Sequence, residues 1–150
     1  MKENQLVVFR LGEEEYGMDI LGVKEIIRYQ KTVKVPDSPD FIEGIINYRD
    51  SVVPIMDLNK RFRLTGKGLS DTTRVIIVNM GGKQVGLMVD QVEEVLRINE
   101  SSIEATPEVV AGVDRQYIRG IGKLEGRLII ILDVERVLTE GEKQELQQIQ

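Results

Sequence analysis

The chain has 150 residues, 41% hydrophobic and 30% charged, with a net charge of −5, the composition of one soluble globular domain with a full core. No apolar run approaches the roughly 18 residues of a bilayer span, and Met1-Lys2-Glu3-Asn4-Gln5 lacks a secretory apolar stretch, so the expected compartment is the cytoplasm. There is no cysteine and no histidine, which excludes a disulfide framework, a thiolate metal site, a thiol nucleophile and a histidine base.

In chain order, Leu6–Leu11 and Tyr16–Ile20 are short and β-branched or alternating, and Gly12-Glu13-Glu14-Glu15 between them predicts a hairpin turn with solvated carboxylates. Val23, Ile26 and Ile27 fit helical spacing, but the β-branched content favours a strand. Gly44–Asn47 and Ser51–Met56 read as two strands about Tyr48-Arg49-Asp50. Pro54 cannot donate to a ladder, so its stretch should be an edge or a bulge. Asp57 stands where a helix N-cap is needed before Leu58–Phe62, and Lys60-Arg61-Phe62-Arg63, the densest basic group, reads equally as a solvated helix end or a binding patch. Val75–Met80 and Val85–Val89 flank Gly81-Gly82-Lys83, a second hairpin, and Val92–Arg97 predicts another strand. Leu124-Glu125-Gly126-Arg127 is a turn before the buried run Leu128–Leu132. Asp133 precedes a short helical turn at Val134–Leu138. Thr139 and Glu142 have capping-box spacing, opening a polar helix towards Gln150.

The chain repeats itself. Val7–Arg28 aligns with Ile76–Arg97 at an offset of 69, matching Gly12 to Gly81, Gly17 to Gly86, Glu25 to Glu94 and Arg28 to Arg97. Gly44–Phe62 aligns with Gly120–Leu138 at an offset of 76, matching Asp57 to Asp133. Each unit of roughly 65 residues would be marginal alone, so the two should share an apolar interface. Five short strands per unit suggest a small barrel, because closure hides strand edges.

Catalytic candidates are few. Neither a P-loop nor a dinucleotide fingerprint is present. Asp57 and Asp133, brought together by pseudo-symmetry, leave open an acid-type hydrolase dyad; capping is the competing reading. A small nucleic-acid-binding barrel is the other alternative, disfavoured by the acidic balance, the scattered basic residues and only seven aromatics. Arg49, at a hairpin tip beside Asn47 and Asp50, is either a solvated turn residue or an interface arginine.

Several blocks resemble CheW-like domains. Glu15-Tyr16-Gly17-Met18-Asp19-Ile20 with Val23-Lys24-Glu25-Ile26-Ile27 is similar to the family's opening motif. Pro39-Asp40-Phe41-Ile42-Glu43-Gly44 through Asn47-Tyr48-Arg49-Asp50, Pro54 and Asp57-Leu58 resembles its central signature, and Val85-Gly86-Leu87-Met88-Val89-Asp90-Gln91-Val92 a third block. The likeness runs from about Gln5 to Leu138. The family usually has glycine where this chain has Asp50, which bears on how Arg49 is presented.

The resemblance implies an all-β fold of two packed five-stranded SH3-like β-barrels with short helices and a C-terminal helix. The single CheW-like domain is expected over 5–140, with barrel units at 5–64 and 73–139, exchange of terminal strands between them, and a tail at 140–150. It implies a non-catalytic adapter without cofactor or metal, joining the cytoplasmic signalling tip of chemoreceptors to the regulatory domain of the CheA histidine kinase. Such an adapter is recruited to membrane-bound receptor arrays without inserting into the membrane, binds no nucleic acid, and is a monomer outside arrays. The related kinase, for lack of a phosphotransfer histidine, and the relatives with a fused receiver domain, for an end at Gln150, are not expected here. Arg49, Val23, Glu25 and Gly44 match positions around the family's receptor-facing region; the kinase surface should be apolar and distinct.

Overall fold

The computed structural model describes residues 3–106 and 115–149, so the expected linking loop falls partly, and Gln150 wholly, outside the described residues. β1 (Glu3–Leu11) and β2 (Glu14–Asp19) form the first hairpin, and a 3-10 turn at Ile20–Gly22 leads into β3 (Val23–Arg28). β4 (Ile42–Tyr48) and β5 (Ser51–Asp57) form the second, followed by the one-turn helix α1 (Leu58–Arg61). β6 (Arg74–Met80), β7 (Lys83–Val89) and β8 (Gln91–Asn99) repeat the first three strands. β9 (Ile103–Glu104), β10 (Ile118–Leu124), β11 (Arg127–Leu132), a 3-10 turn at Val134–Arg136 and helix α2 (Glu140–Ile149) complete the order. The offset of 69 carries β1–β3 onto β6–β8, and that of 76 carries β4 and β5 onto β10 and β11. The two stretches with ambiguous periodicity are strands because each finds a backbone partner: β3 pairs with β6, and β8 with β1.

One sheet has the order β3-β6-β7-β5-β4 and the other β8-β1-β2-β11-β10-β9. Sheet membership cuts across the sequence units 5–64 and 73–139. The β1–β2 hairpin pairs with β8 and β11, while β6–β7 pairs with β3 and β5. Along the chain, β3–β7 build one sheet without interruption, inserted between β2 and β8 of the other. Each sheet curls shut on a closing segment: Val33 bridges Ile45, and β9 pairs with β10. β8 and β9 occupy one barrel position broken by a 3-10 turn at Glu100–Ser102, so both sheets are five-position SH3-like barrels.

Strand alternation feeds three apolar cores. Leu6, Val8, Ile98, Ile129 and Ile131 fill the first-hairpin barrel, and Ile46, Tyr48, Val53, Ile55, Val75 and Ile77 fill the inserted one. The opposite faces of β1 and β6 send Val7, Phe9, Leu11, Ile76, Val78 and Met80 into the layer between the barrels. At about 25 cal/mol per Å² of apolar area, this shared layer binds halves that would be marginal alone. Gly17 and Gly86 occupy equivalent interior positions, where a Cβ would meet Ile129 and Leu6 in one barrel and Ile55 and Val75 in the other.

Four expectations need correction or refinement. β5 is an internal strand, but its pairing with β7 covers only Ile55–Asp57, so Pro54 lies where β4 is its sole neighbour and a missing donor is tolerated. Leu128 opens the apolar run yet is exposed; burial in β11 starts at Ile129. Glu15 is no solvated turn carboxylate. It takes both Arg127 Nη2 (2.8 Å) and Nε (3.1 Å), and this pairing holds its carboxyl below the ordinary carboxylate range. Arg61 is no solvated helix end. Its side chain is 11% exposed, lies between the rings of Phe41 (4.7 Å) and Tyr117 (5.1 Å), and donates to the Val137 carbonyl and to both oxygens of Glu142. Glu142 also closes the expected capping box with Thr139, so one ion pair clasps α2 to the seam between the barrels.

Candidate functional site

The β4–β5 hairpin turns in two residues, with Tyr48 and Ser51 paired across it. Arg49 and Asp50 both adopt positive φ, 50° and 65°, which is the type I′ geometry that matches strand twist. Neither residue is glycine, so each carries backbone strain of about 1 kcal/mol or more. Asp50 therefore keeps the turn shape that glycine would give, at the expense of stability.

Arg49 is anchored by its neighbours. Its side chain is 68% exposed, and Nη2 donates to Glu25 Oε1 at 2.8 Å. Nε donates to the Tyr48 hydroxyl at 3.1 Å, and the guanidinium lies 5.4 Å from that ring's centroid. The Tyr48 hydroxyl in turn donates to the same Glu25 oxygen. Hydrogen bonds from Tyr48 and then Arg49 hold the Glu25 carboxyl below its ordinary range, while the Glu25 bond pushes the Tyr48 phenol up. Lys24 Nζ sits 5.9 Å from the Tyr48 ring centroid, adding a second cation. The result is a directed cation on a strained tip, rooted through Tyr48 in the barrel interior.

Of the four residues singled out in the sequence, Arg49 and Glu25 meet directly. Val23, the first residue of β3, packs against the layer between the barrels. Gly44 is buried at the bulge in the β4–β5 pairing, where a Cβ would stand 2.6 Å from the Val33 carbonyl and 2.7 Å from Thr32. Its φ of 153° and lack of a side chain let the barrel close through the Val33–Ile45 bridge. Val23 and Gly44 thus shape the scaffold, and Gly44 offers a partner no side chain. From the sequence Tyr48 has a place in the turn and in the motif but no role; the signal for one was an aromatic hydroxyl next to an arginine at a tight turn.

A second surface stands out. Leu21, in the 3-10 turn between β2 and β3, is 90% exposed. It lies between two grooves, one lined by Gln5, Asp19 and Arg119 and the other by Asn79, Asp133 and Glu135. An apolar knob within a polar rim is the anatomy of a protein interface.

Among the described residues, the catalytic and nucleic-acid alternatives find no site. Asp57 caps α1, accepting from the Asn59 amide (2.9 Å) and the Lys60 amide (3.3 Å), and Asp133 caps the last 3-10 turn through Glu135 (3.1 Å). They line different cavities, so they share no cleft. Arg10, Arg49, Arg61, Arg119 and Arg127 all pair with carboxylates and assemble no basic face. Among the described residues, no helix is long and apolar enough to cross a membrane.

Two fused SH3-like barrels that carry a directed arginine tip and an exposed apolar knob have the anatomy of an adapter. A family model described as a CheW-like domain matches residues 5–142. Among known proteins, the chain is 38% identical to a chemotaxis protein CheW of Klebsiella aerogenes over 92% of its own length and 83% of that protein's. It is 36% identical to chemotaxis protein CheW of Bacillus subtilis, covering 93% and 90%. The crystal structure of the scaffolding protein TtCheW from Thermoanaerobacter tengcongensis is similar at a TM-score of 0.86 and 41% identity, covering 94% and 92%. The chain belongs to the CheW family: it is a chemotaxis adapter that couples receptors to the CheA kinase.

Proposed function

We propose that the Arg49 tip meets the cytoplasmic signalling tip of a chemoreceptor, while the Leu21 surface takes the regulatory domain of the CheA kinase. The observation that carries this reading is the exposed guanidinium of Arg49. Tyr48 and Glu25 engage Nε and Nη2, and no group among the described residues takes Nη1. Receptor tips are helical bundles, and their carboxylates and carbonyls suit a fixed fork. An apolar anchor is the better match for a kinase domain that resembles this one in fold. Holding both partners in one geometry lets a receptor shift bias the kinase, for which a coupling of about 1–3 kcal/mol is typical. The adapter is a monomer away from arrays and is brought to the membrane by its partners.

Titration calorimetry of each partner separately tests the assignment. Arg49→Ala should lower receptor-tip affinity by about 2 kcal/mol, or about thirtyfold, and leave kinase-domain affinity near wild type. Leu21→Asp should do the reverse. Unchanged receptor binding by Arg49→Glu overturns the receptor assignment, and parallel losses for both partners overturn the division into two surfaces.

A further inference from the structure

We infer that Tyr48 is a positioning residue, whose hydroxyl fixes the Arg49 guanidinium so that only its outer edge is offered to a partner. The inference rests on the reading of Arg49 as the receptor anchor.

The pseudo-repeat supplies a built-in control. At the offset of 76, Tyr48 corresponds to Leu124, which packs against the core of the other barrel without any hydroxyl. Filling a barrel mouth therefore calls for an apolar side chain and nothing more. The Tyr48 ring does that filling, since it belongs to the inserted barrel's core. Its hydroxyl reaches Glu25 and Arg49, accepting from the Nε of one and donating to the carboxylate of the other. Phenylalanine could keep the ring under the two cations but could not make this relay.

The relay selects one edge of the fork. Arginine pairs with a carboxylate side-on through Nε and one Nη, or end-on through the two Nη groups. Tyr48 and Glu25 take the side-on edge at 3.1 and 2.8 Å, so a partner meets the end bearing Nη1. Arg49 is also the first residue of a two-residue loop, with its side chain 68% exposed. Without the hydroxyl, Nε is released and the side chain can rotate about its stem. Tyr48 thus makes the site selective for an acceptor approaching end-on from outside the tip.

A double-mutant cycle tests this, using a soluble receptor cytoplasmic hairpin and four proteins: wild type, Tyr48→Phe, Arg49→Ala and the double variant. Tyr48→Phe should weaken receptor binding about five- to tenfold in the wild-type background and less than about twofold in Arg49→Ala. The second readout is the titration of the Glu25 carboxyl by carbon-13 NMR, which should move up towards the ordinary range in Tyr48→Phe. Tyr48→Leu, which installs the residue of the other barrel, should reproduce both effects. Wild-type receptor affinity in Arg49→Ala overturns the receptor reading and this inference with it. A loss in Arg49→Ala with none in Tyr48→Phe overturns the inference alone, as does an equal loss from Tyr48→Phe in both backgrounds or an unmoved Glu25 titration.

Discussion

Gly17 and Gly86 are equivalent by sequence and by position, yet alanine should treat them differently. At Gly86 a Cβ would stand 2.5 Å from Ile55 Cδ1 and 2.7 Å from Val75 Cγ1. Both atoms belong to fully packed interior residues, and Val75 is stiff at χ1, so it cannot swing aside. Overpacking of this kind costs about 1–3 kcal/mol. Alanine also removes freedom from the unfolded chain, a gain of about 0.4–1 kcal/mol. The net for Gly86→Ala is a loss of about 1–2 kcal/mol. At Gly17 the nearest atoms lie at 3.1 Å (Ile129 Cγ2) and 3.4 Å (Leu6 Cδ1), a squeeze of a few tenths of an ångström. There the two effects nearly cancel, and Gly17→Ala should fall within about 0.5 kcal/mol of wild type. Urea unfolding followed by far-ultraviolet circular dichroism measures both. With a slope near 2 kcal/mol per M, Gly86→Ala should drop the midpoint by about 0.5–1 M and Gly17→Ala by less than about 0.3 M. Equal midpoints for the two variants would refute the claim that the tighter space at Gly86 sets the difference between them.

Asp50→Gly should raise stability by about 0.5–1 kcal/mol by removing positive-φ strain, read as a higher thermal midpoint; a fall would mean that the Asp50 side chain stabilises the turn. Arg61→Ala should cost about 2–3 kcal/mol, and Arg61→Lys a large part of that, because the stacked, bidentate fork is lost. Hydrogen exchange should then show α2 opening well before the barrels, and unchanged protection of α2 would refute the clasp. Burial raises the Asp57 carboxyl above its ordinary value, so its favourable contribution exists when protonated, below the unfolded pKa, and is lost as pH rises through the folded one. Asp57→Asn keeps the cap and removes the buried charge. It should equal or exceed wild type in stability at pH 7, with the difference shrinking on acidification towards pH 4; a growing difference would contradict the sign.

Much of the fold was legible because the chain states it twice. β4 and β10 coincide at an offset of 76 to the residue, and the glycines of both hairpins fall where the alignment puts them. The capping roles of Asp57 and Asp133 were legible from position alone. Strand partnership was not: β1 could pair with β3 or with β8, since either offers an apolar edge, and only three-dimensional closure chooses β8. The site was half legible. Arg49 and Glu25 lie 24 positions apart and carry no local sign of contact. Arg61 looked solvated because a run of basic residues hides that its neighbours are Phe41, Tyr117 and Glu142, all remote in sequence. Leu21 is an ordinary apolar letter beside buried ones, and its exposure follows from a 3-10 corner that breaks the alternation.

The insertion of β3–β7 between β2 and β8 has a mechanical consequence. The chain passes between the barrels twice, at Ile20–Gly22 and at Asp90, and these passages leave from opposite sides of β1. On β1 they correspond to Leu6, opposite Asp19, and Arg10, opposite Gln91. Four residues of strand separate those levels by about 13 Å, and two strand spacings by about 10 Å across. Two crossings so spaced, together with the buried layer between the barrels, fix how one barrel sits on the other. Asp90 is pinned at its crossing by the Gly12 amide, the Asn59 side-chain amide and the Thr72 hydroxyl. Leu21 stands on the other crossing, so an exposed apolar side chain is held in a fixed place relative to both barrels.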